Sequence, residues 1–95
     1  MKVFWTESAL AHLDSIYDHI QKDSPHYARQ VVDRLTRRSI QIGQFPHSGR
    51  QVPELDMAAI REVIESPYRL IFLIGDESIE ILAVLHAAMS FPPDL

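Results

Sequence analysis

No cysteine occurs among the 95 residues, which excludes a disulfide framework and thiolate chemistry and fits a cytoplasmic setting. No apolar stretch approaches the roughly 20 residues needed to span a bilayer, and the N-terminus carries no signal-peptide core, so no membrane association is expected. Excess positive charge is also missing. Nine Lys and Arg stand against 13 Asp and Glu, for a formal net charge of −4. Neutralising phosphates takes a basic surface, so direct binding of DNA by this chain alone is not expected. The deficit of cations is sharpest at the C-terminal end. All nine Lys and Arg lie between Lys2 and Arg69, while Asp76, Glu77, Glu80 and Asp94 follow without one. Repeats, low-complexity segments and interdomain linkers are lacking, so residues 1–95 read as one domain. Its 46% hydrophobic and 23% charged residues are ordinary for a globular protein.

What is present is a clear succession of elements. Lys2 to Trp5 is a short extended segment suited to the edge of a sheet. Thr6 is a good N-cap with Glu7 in the first turn, and Leu10, Leu13, Ile16, Tyr17 and Ile20 recur at helical spacing to about Gln21. Ser24-Pro25 stops that helix and opens another, with Ala28, Val31, Val32, Leu35 and Ile42 as its apolar stripe and Gly43 as its expected close. The short connection predicts an antiparallel helical hairpin. Phe45 to Arg50 reads as a loop. Three strands follow: Ile60 to Glu65, which alternates; Tyr68 to Ile74, apolar on both faces after Arg69; and Ile79 to Leu85. The fold class is therefore α+β: an N-terminal strand, then an antiparallel helical hairpin packed on a mainly antiparallel sheet that a C-terminal three-strand meander completes.

The meander has a predictable register. A tight turn at Ser66-Pro67 sets Ile64 opposite Arg69, with Glu62 on the same face and Arg61 on the other. A turn centred between Asp76 and Glu77 sets Arg69 opposite Val84, with His86 its diagonal neighbour about 7–8 Å away on one face. The second expectation is conditional, because one extra residue in the connection reverses the faces.

These pieces, in this order, resemble the RelE/ParE superfamily of toxins from type II toxin–antitoxin modules, the group that includes plasmid stabilisation proteins. The resemblance rests on Trp5-Thr6, Ser24-Pro25 with Ala28, Phe45-Pro46-x-x-Gly49-Arg50, Val52-Pro53-Glu54-Leu55 and Ile60-Arg61-Glu62. It continues through Tyr68-Arg69-Leu70-Ile71-Phe72 and Ile81-Leu82-x-Val84-Leu85-His86, and so spans nearly the whole chain. Two activities occur in the superfamily, so the resemblance alone does not choose between them. The RelE type implies a ribosome-dependent mRNA endonuclease that clusters cations and a C-terminal Tyr or His about one phosphate. The ParE type implies inhibition of DNA gyrase by protein–protein contact, with no catalytic step. Both imply a cognate antitoxin, the product of an adjacent gene, whose C-terminal segment wraps the toxin.

Arg69 matches the arginine of the cleaving branch, and a nuclease would add Arg50, Arg61 and His86 to it. The stretch after His86 holds no Arg, Lys or Tyr, whereas Leu85-His86-x-x-Met89 resembles ParE-type toxins, with Ala88 in place of their arginine. The expectation is thus a ParE-like gyrase inhibitor, with an mRNA endonuclease, or a degenerate relative that binds only an antitoxin, as alternatives. Partner contacts are expected among Arg34, Arg37, Arg38, Arg50, Arg61, Arg69, His86 and Met89. All but Met89 have a plainer reading. Arg34, Arg37 and Arg38 would complement a helix C-terminus, Arg69 would pair with Glu62, and His86 would bond locally at a strand end. Glu54 is a weak candidate base. No cofactor is implied, and His12 and His19, seven residues apart, are too sparse to suggest a metal.

Overall fold

Strand β1 (Lys2–Trp5) leads into helices α1 (Glu7–Gln21) and α2 (Pro25–Gln44). A 3-10 turn at Pro46–Ser48 precedes strands β2 (Arg50–Gln51), β3 (Ile60–Glu65), β4 (Tyr68–Ile74) and β5 (Ser78–His86). The computed structural model describes residues 1–89, 91 and 92. All strands join one sheet in the order β1-β5-β4-β3-β2, antiparallel except for the parallel β1–β5 pair. The α+β architecture expected from the sequence is the one found, with the loop at 45–50 resolved into the 3-10 turn and β2.

The helix starts follow from their caps. Thr6 Oγ1 accepts from the Ala9 amide at 3.1 Å and donates to the Ile81 carbonyl at 3.0 Å, so one side chain caps α1 and ties it to β5. Ser24 Oγ accepts from the Tyr27 amide at 3.2 Å, with Pro25 in the first turn. Helix α2 does not close at Gly43 as its sequence suggested. It runs on to Gln44, and Gly43 is buried where α2 crosses β1: a Cβ there would come within 2.7 Å of the Val3 side chain and 2.8 Å of the Met1 carbonyl. The glycine is a close approach, not a stop.

Two apolar layers result. On the helix face Ala9, Val31, Leu35 and Ile42 pack on Val63, Leu70, Phe72, Ile79 and Ile81. On the other face Val52, Ile60, Ile71, Ala83 and Leu85 are covered by Leu55 and Phe91 instead of a helix. β4 is therefore buried on both sides, which is why its sequence does not alternate.

The register departs from expectation at one point. From the turn, Ile74 faces Ile79, Leu73 faces Glu80 and Phe72 faces Ile81, as a centre between Asp76 and Glu77 requires. The pairing then slips by one, so that Ile71 faces Ala83, Arg69 faces Leu85 and Tyr68 faces His86. Leu82 is the additional residue, and a bulge of this kind reverses the facing of everything beyond it. Arg69 consequently lies on the face without helices, and His86 lies on the helix face.

Candidate functional site

Arg69 sits at the centre of a network on the face opposite the helices. β3 and β4 pair so that Ile64 faces Arg69 and Glu62 faces Ile71, which puts Glu62 and Arg69 two residues apart on one surface. β2 brings Arg50 opposite Glu62. The loop after β2 returns Glu54 over them. Arg69 donates through Nε to Glu62 Oε1 at 2.6 Å, through Nη1 to Glu54 Oε2 at 2.9 Å and through Nη2 to Glu54 Oε1 at 2.8 Å. Arg50 Nε donates to the other Glu62 oxygen at 2.7 Å. Two guanidinium groups thus meet two carboxylates, with Glu62 fully buried and Arg69 only 7% exposed. The Phe91 ring lies 5.6 Å from the Arg69 guanidinium carbon, within cation–π range, and completes the cover.

The electrostatics follow from these contacts. The fork to Glu54, with help from Glu62, raises Arg69 above the ordinary guanidinium range despite its burial. The same fork holds the Glu54 carboxyl below the ordinary carboxylate range. An arginine that donates from all three nitrogens to two carboxylates has neither free charge nor a free fork for a phosphate. Glu54, bound as an anion at both oxygens, is equally ill placed to serve as a base. Pairing of Arg69 with Glu62 is the plainer of its two readings, and it is the one found.

The remaining nuclease candidates lie elsewhere. His86 faces Tyr68 across the sheet, edge to face with ring centroids 5.7 Å apart, and its Nδ1 accepts from the Ala88 amide at 3.1 Å. It is a locally bonded strand-end histidine, and the expected Arg69–His86 proximity is not formed. Arg61 points to the helix face and donates from Nη1 to the Gly49 carbonyl at 3.1 Å. Of the four, only Arg50 and Arg69 are brought together, and both are bound to Glu62. The three arginines of α2 also separate: Arg34 reaches the Ser66 carbonyl at 2.9 Å, Arg38 reaches Gln41 at 2.9 Å, and Arg37 lies exposed beside its own helix.

An apolar groove of about 210 Å³ opens on the helix side of the sheet between α1 and the end of β5. Ile16, Tyr68, Val84 and Leu85 line it, with His12, His86 and the 61%-exposed Met89 at its rim. Burial raises the Tyr68 phenol above its ordinary range. His12 has a part the sequence did not reveal. β1 ends beside Ile81, and past that point His12 Nδ1 accepts the Val84 amide at 3.2 Å on the edge of β5 that β1 leaves free. Nothing in the spacing of His12 identifies this role, because it depends on where β1 ends. Tyr27, in the first turn of α2, is 47% exposed. Among the described residues no group of three or more His, Cys, Asp or Glu could hold a metal ion.

Comparisons with known proteins agree with this architecture. Residues 3–91 match the family model for the ParE toxin of type II toxin–antitoxin system, parDE. The protein Y4kP of Sinorhizobium fredii is 35% identical over 96 residues, which cover 96% of this chain and 93% of that one. Toxin RelE2 of Caulobacter vibrioides is 34% identical over 88 residues, covering 92% and 96%. A solved structure of the chromosomal ParDE toxin–antitoxin system from P. aeruginosa superposes with a TM-score of 0.77 at 26% identity, over 90% of this chain and 95% of that chain. A match of nearly full length, carried by the same strand–helix–helix–sheet order, identifies the chain as a member of the RelE/ParE superfamily and of the ParE toxin family of type II toxin–antitoxin systems.

Proposed function

We propose that this protein is a ParE-like toxin that inhibits DNA gyrase by protein–protein contact, without a catalytic step, and that a cognate antitoxin neutralises it in the cytoplasm. The observation that carries this reading is the condition of Arg69, whose guanidinium is enclosed by Glu54, Glu62 and Phe91. Cleavage of RNA through the 2′-hydroxyl needs a base, an acid and cations around one phosphate. Arg50 and Arg69 lie on one face of the sheet, whereas Arg61 and His86 lie on the other, so the four do not surround any single point. The shortage of cations after Arg69 supports the same reading. Met89 and the groove beside α1 offer apolar contact to a partner without any requirement for chemistry.

A paired assay of the antitoxin-free protein tests the proposal. One arm follows gyrase supercoiling of relaxed plasmid, and the other follows cleavage of a translated mRNA on ribosomes. The expected result is inhibited supercoiling with intact mRNA. Codon-positioned cuts with active gyrase would reverse the assignment, and inactivity in both arms would leave a relative that only binds its antitoxin.

A further inference from the structure

Strand β1 has β5 on one side and no strand on the other, so the sheet ends in an open edge at Lys2–Trp5. Which backbone groups face outward follows from the parallel ladder. The Thr6 amide donates to the Ile81 carbonyl at 3.1 Å, so Thr6 turns its backbone toward β5. Backbone direction alternates along a strand. Lys2 and Phe4 therefore also bond inward to β5, while Val3 and Trp5 direct N–H and C=O away from the sheet. Among the described residues these outward groups have no backbone partner. An edge of this kind takes another strand unless charge, proline or a bulge guards it. Lys2-Val3-Phe4-Trp5 holds one charge, at its end, and neither of the other two. Apolar surface flanks it. Val3 and Trp5 turn their side chains to the helix-side core, which leaves Phe4 on the opposite face, 55% exposed. Ile40 and Phe45, both exposed, stand within three residues of Gly43, where α2 meets Val3.

We propose that two copies of this chain join β1 to β1, antiparallel across a two-fold axis, and merge their sheets into one. The edge specifies a single register. The Met1 amino group is held by the Gly43 carbonyl at 2.9 Å, and α1 begins at Glu7, so neither Met1 nor Glu7 extends the ladder. Val3 and Trp5 remain, and both find partners only when Val3 faces the partner's Trp5 and Trp5 faces the partner's Val3. Each such pair exchanges both its N–H···O bonds. Pairing Val3 or Trp5 with its own copy would leave the other residue without a strand. Phe4 then falls on the axis, opposite the partner's Phe4 in a non-hydrogen-bonded pair with Cα atoms about 4.5 Å apart, so the two exposed rings leave water together. The charges agree. Lys2 lies opposite the partner's Thr6, next to the partner's Glu7, and the two Lys2 residues are held about four strand residues, roughly 14 Å, apart. Symmetry favours a second copy over an unrelated strand, because every favourable pairing is made twice. So short an edge gives a weak, reversible dimer. The inference is independent of the toxin's target.

The absence of cysteine makes crosslinking a specific test. Phe4→Cys sets one thiol opposite its copy with Cα atoms about 4.5 Å apart, inside the range that a disulfide accepts. Lys2→Cys sets its thiols roughly 14 Å apart. Both positions are exposed, so the fold should persist, which circular dichroism checks. Under mild oxidation Phe4→Cys should form the covalent dimer on the order of tenfold faster than Lys2→Cys. Sedimentation velocity of the wild-type protein should show a dimer that grows with concentration up to about 1 mM. Phe4→Asp, which opposes two carboxylates on the axis, should weaken that association about tenfold or more. A wild-type protein that stays monomeric to about 1 mM would overturn the proposal. Equal crosslinking of the two cysteine variants, or a dimer that Phe4→Asp leaves intact, would overturn it as well.

Discussion

Glu62 shows how a single residue can decide what its neighbours are able to do. It is fully buried, and each of its oxygens holds one guanidinium, Arg50 Nε at 2.7 Å and Arg69 Nε at 2.6 Å. Replacing it by glutamine leaves the Arg69 charge under Phe91 with half its counter-charge. Breaking a buried pair from one side costs about 3–5 kcal/mol, and urea unfolding of Glu62→Gln should lose an amount of that order. An unchanged midpoint would mean that the network is not structural. Glu54 adds a pH dependence with a definite sign. Its folded pKa lies below the unfolded one, so its contribution is present at neutral pH and is lost as pH falls through the folded value. Arg69 is shifted upward, so its contribution persists throughout the acid and neutral range. Urea midpoints measured downward from neutrality should fall below the ordinary carboxylate value of about 4.3, and Glu54→Gln should flatten that fall.

At the scale of elements, one residue in β5 separates two side chains that the sequence puts together. The turn at Gly75–Ser78 has its expected centre, and the first three pairs of the hairpin obey it. Leu82 then enters β5 as a bulge, and both Leu82 and Ala83 pack on the face without helices. A bulge preserves composition and apolar content, so no periodicity in Ile81 to Leu85 signals it. Its consequence is measurable. Arg69→Lys and His86→Gln should be additive in stability, with a coupling below about 0.5 kcal/mol, because the two side chains lie across the sheet from each other. A coupling above about 1 kcal/mol would put them in one cluster. The ends of elements were more legible. Thr6 and Ser24-Pro25 start helices because their side chains accept from backbone amides three residues on, a purely local matter. Gly43 was misleading for a related reason: a glycine that ends a helix and a glycine that admits a neighbouring strand are the same letter, and only the Val3 contact distinguishes them.

At the scale of the whole molecule, the sheet divides function between its faces. The helix face carries the groove by Met89. The other face is closed by Leu55 and Phe91 over a charge-balanced network. That division suits the proposed action by contact. The sequence by itself determined the order of the helices and main strands, the central place of β4, the common face of Arg69 and Glu62 on β3 and β4, and the shortage of cations after Arg69. Each of these follows from short-range rules: capping chemistry, alternation, a two-residue turn, or a count of charges. Tertiary structure alone decided that Glu54 returns over Arg69, that His12 takes the Val84 amide where β1 ends, and that Arg69 and His86 face opposite ways. Those outcomes depend on where a loop folds back and on one bulged residue, and side-chain facing in a strand reverses with every single-residue shift.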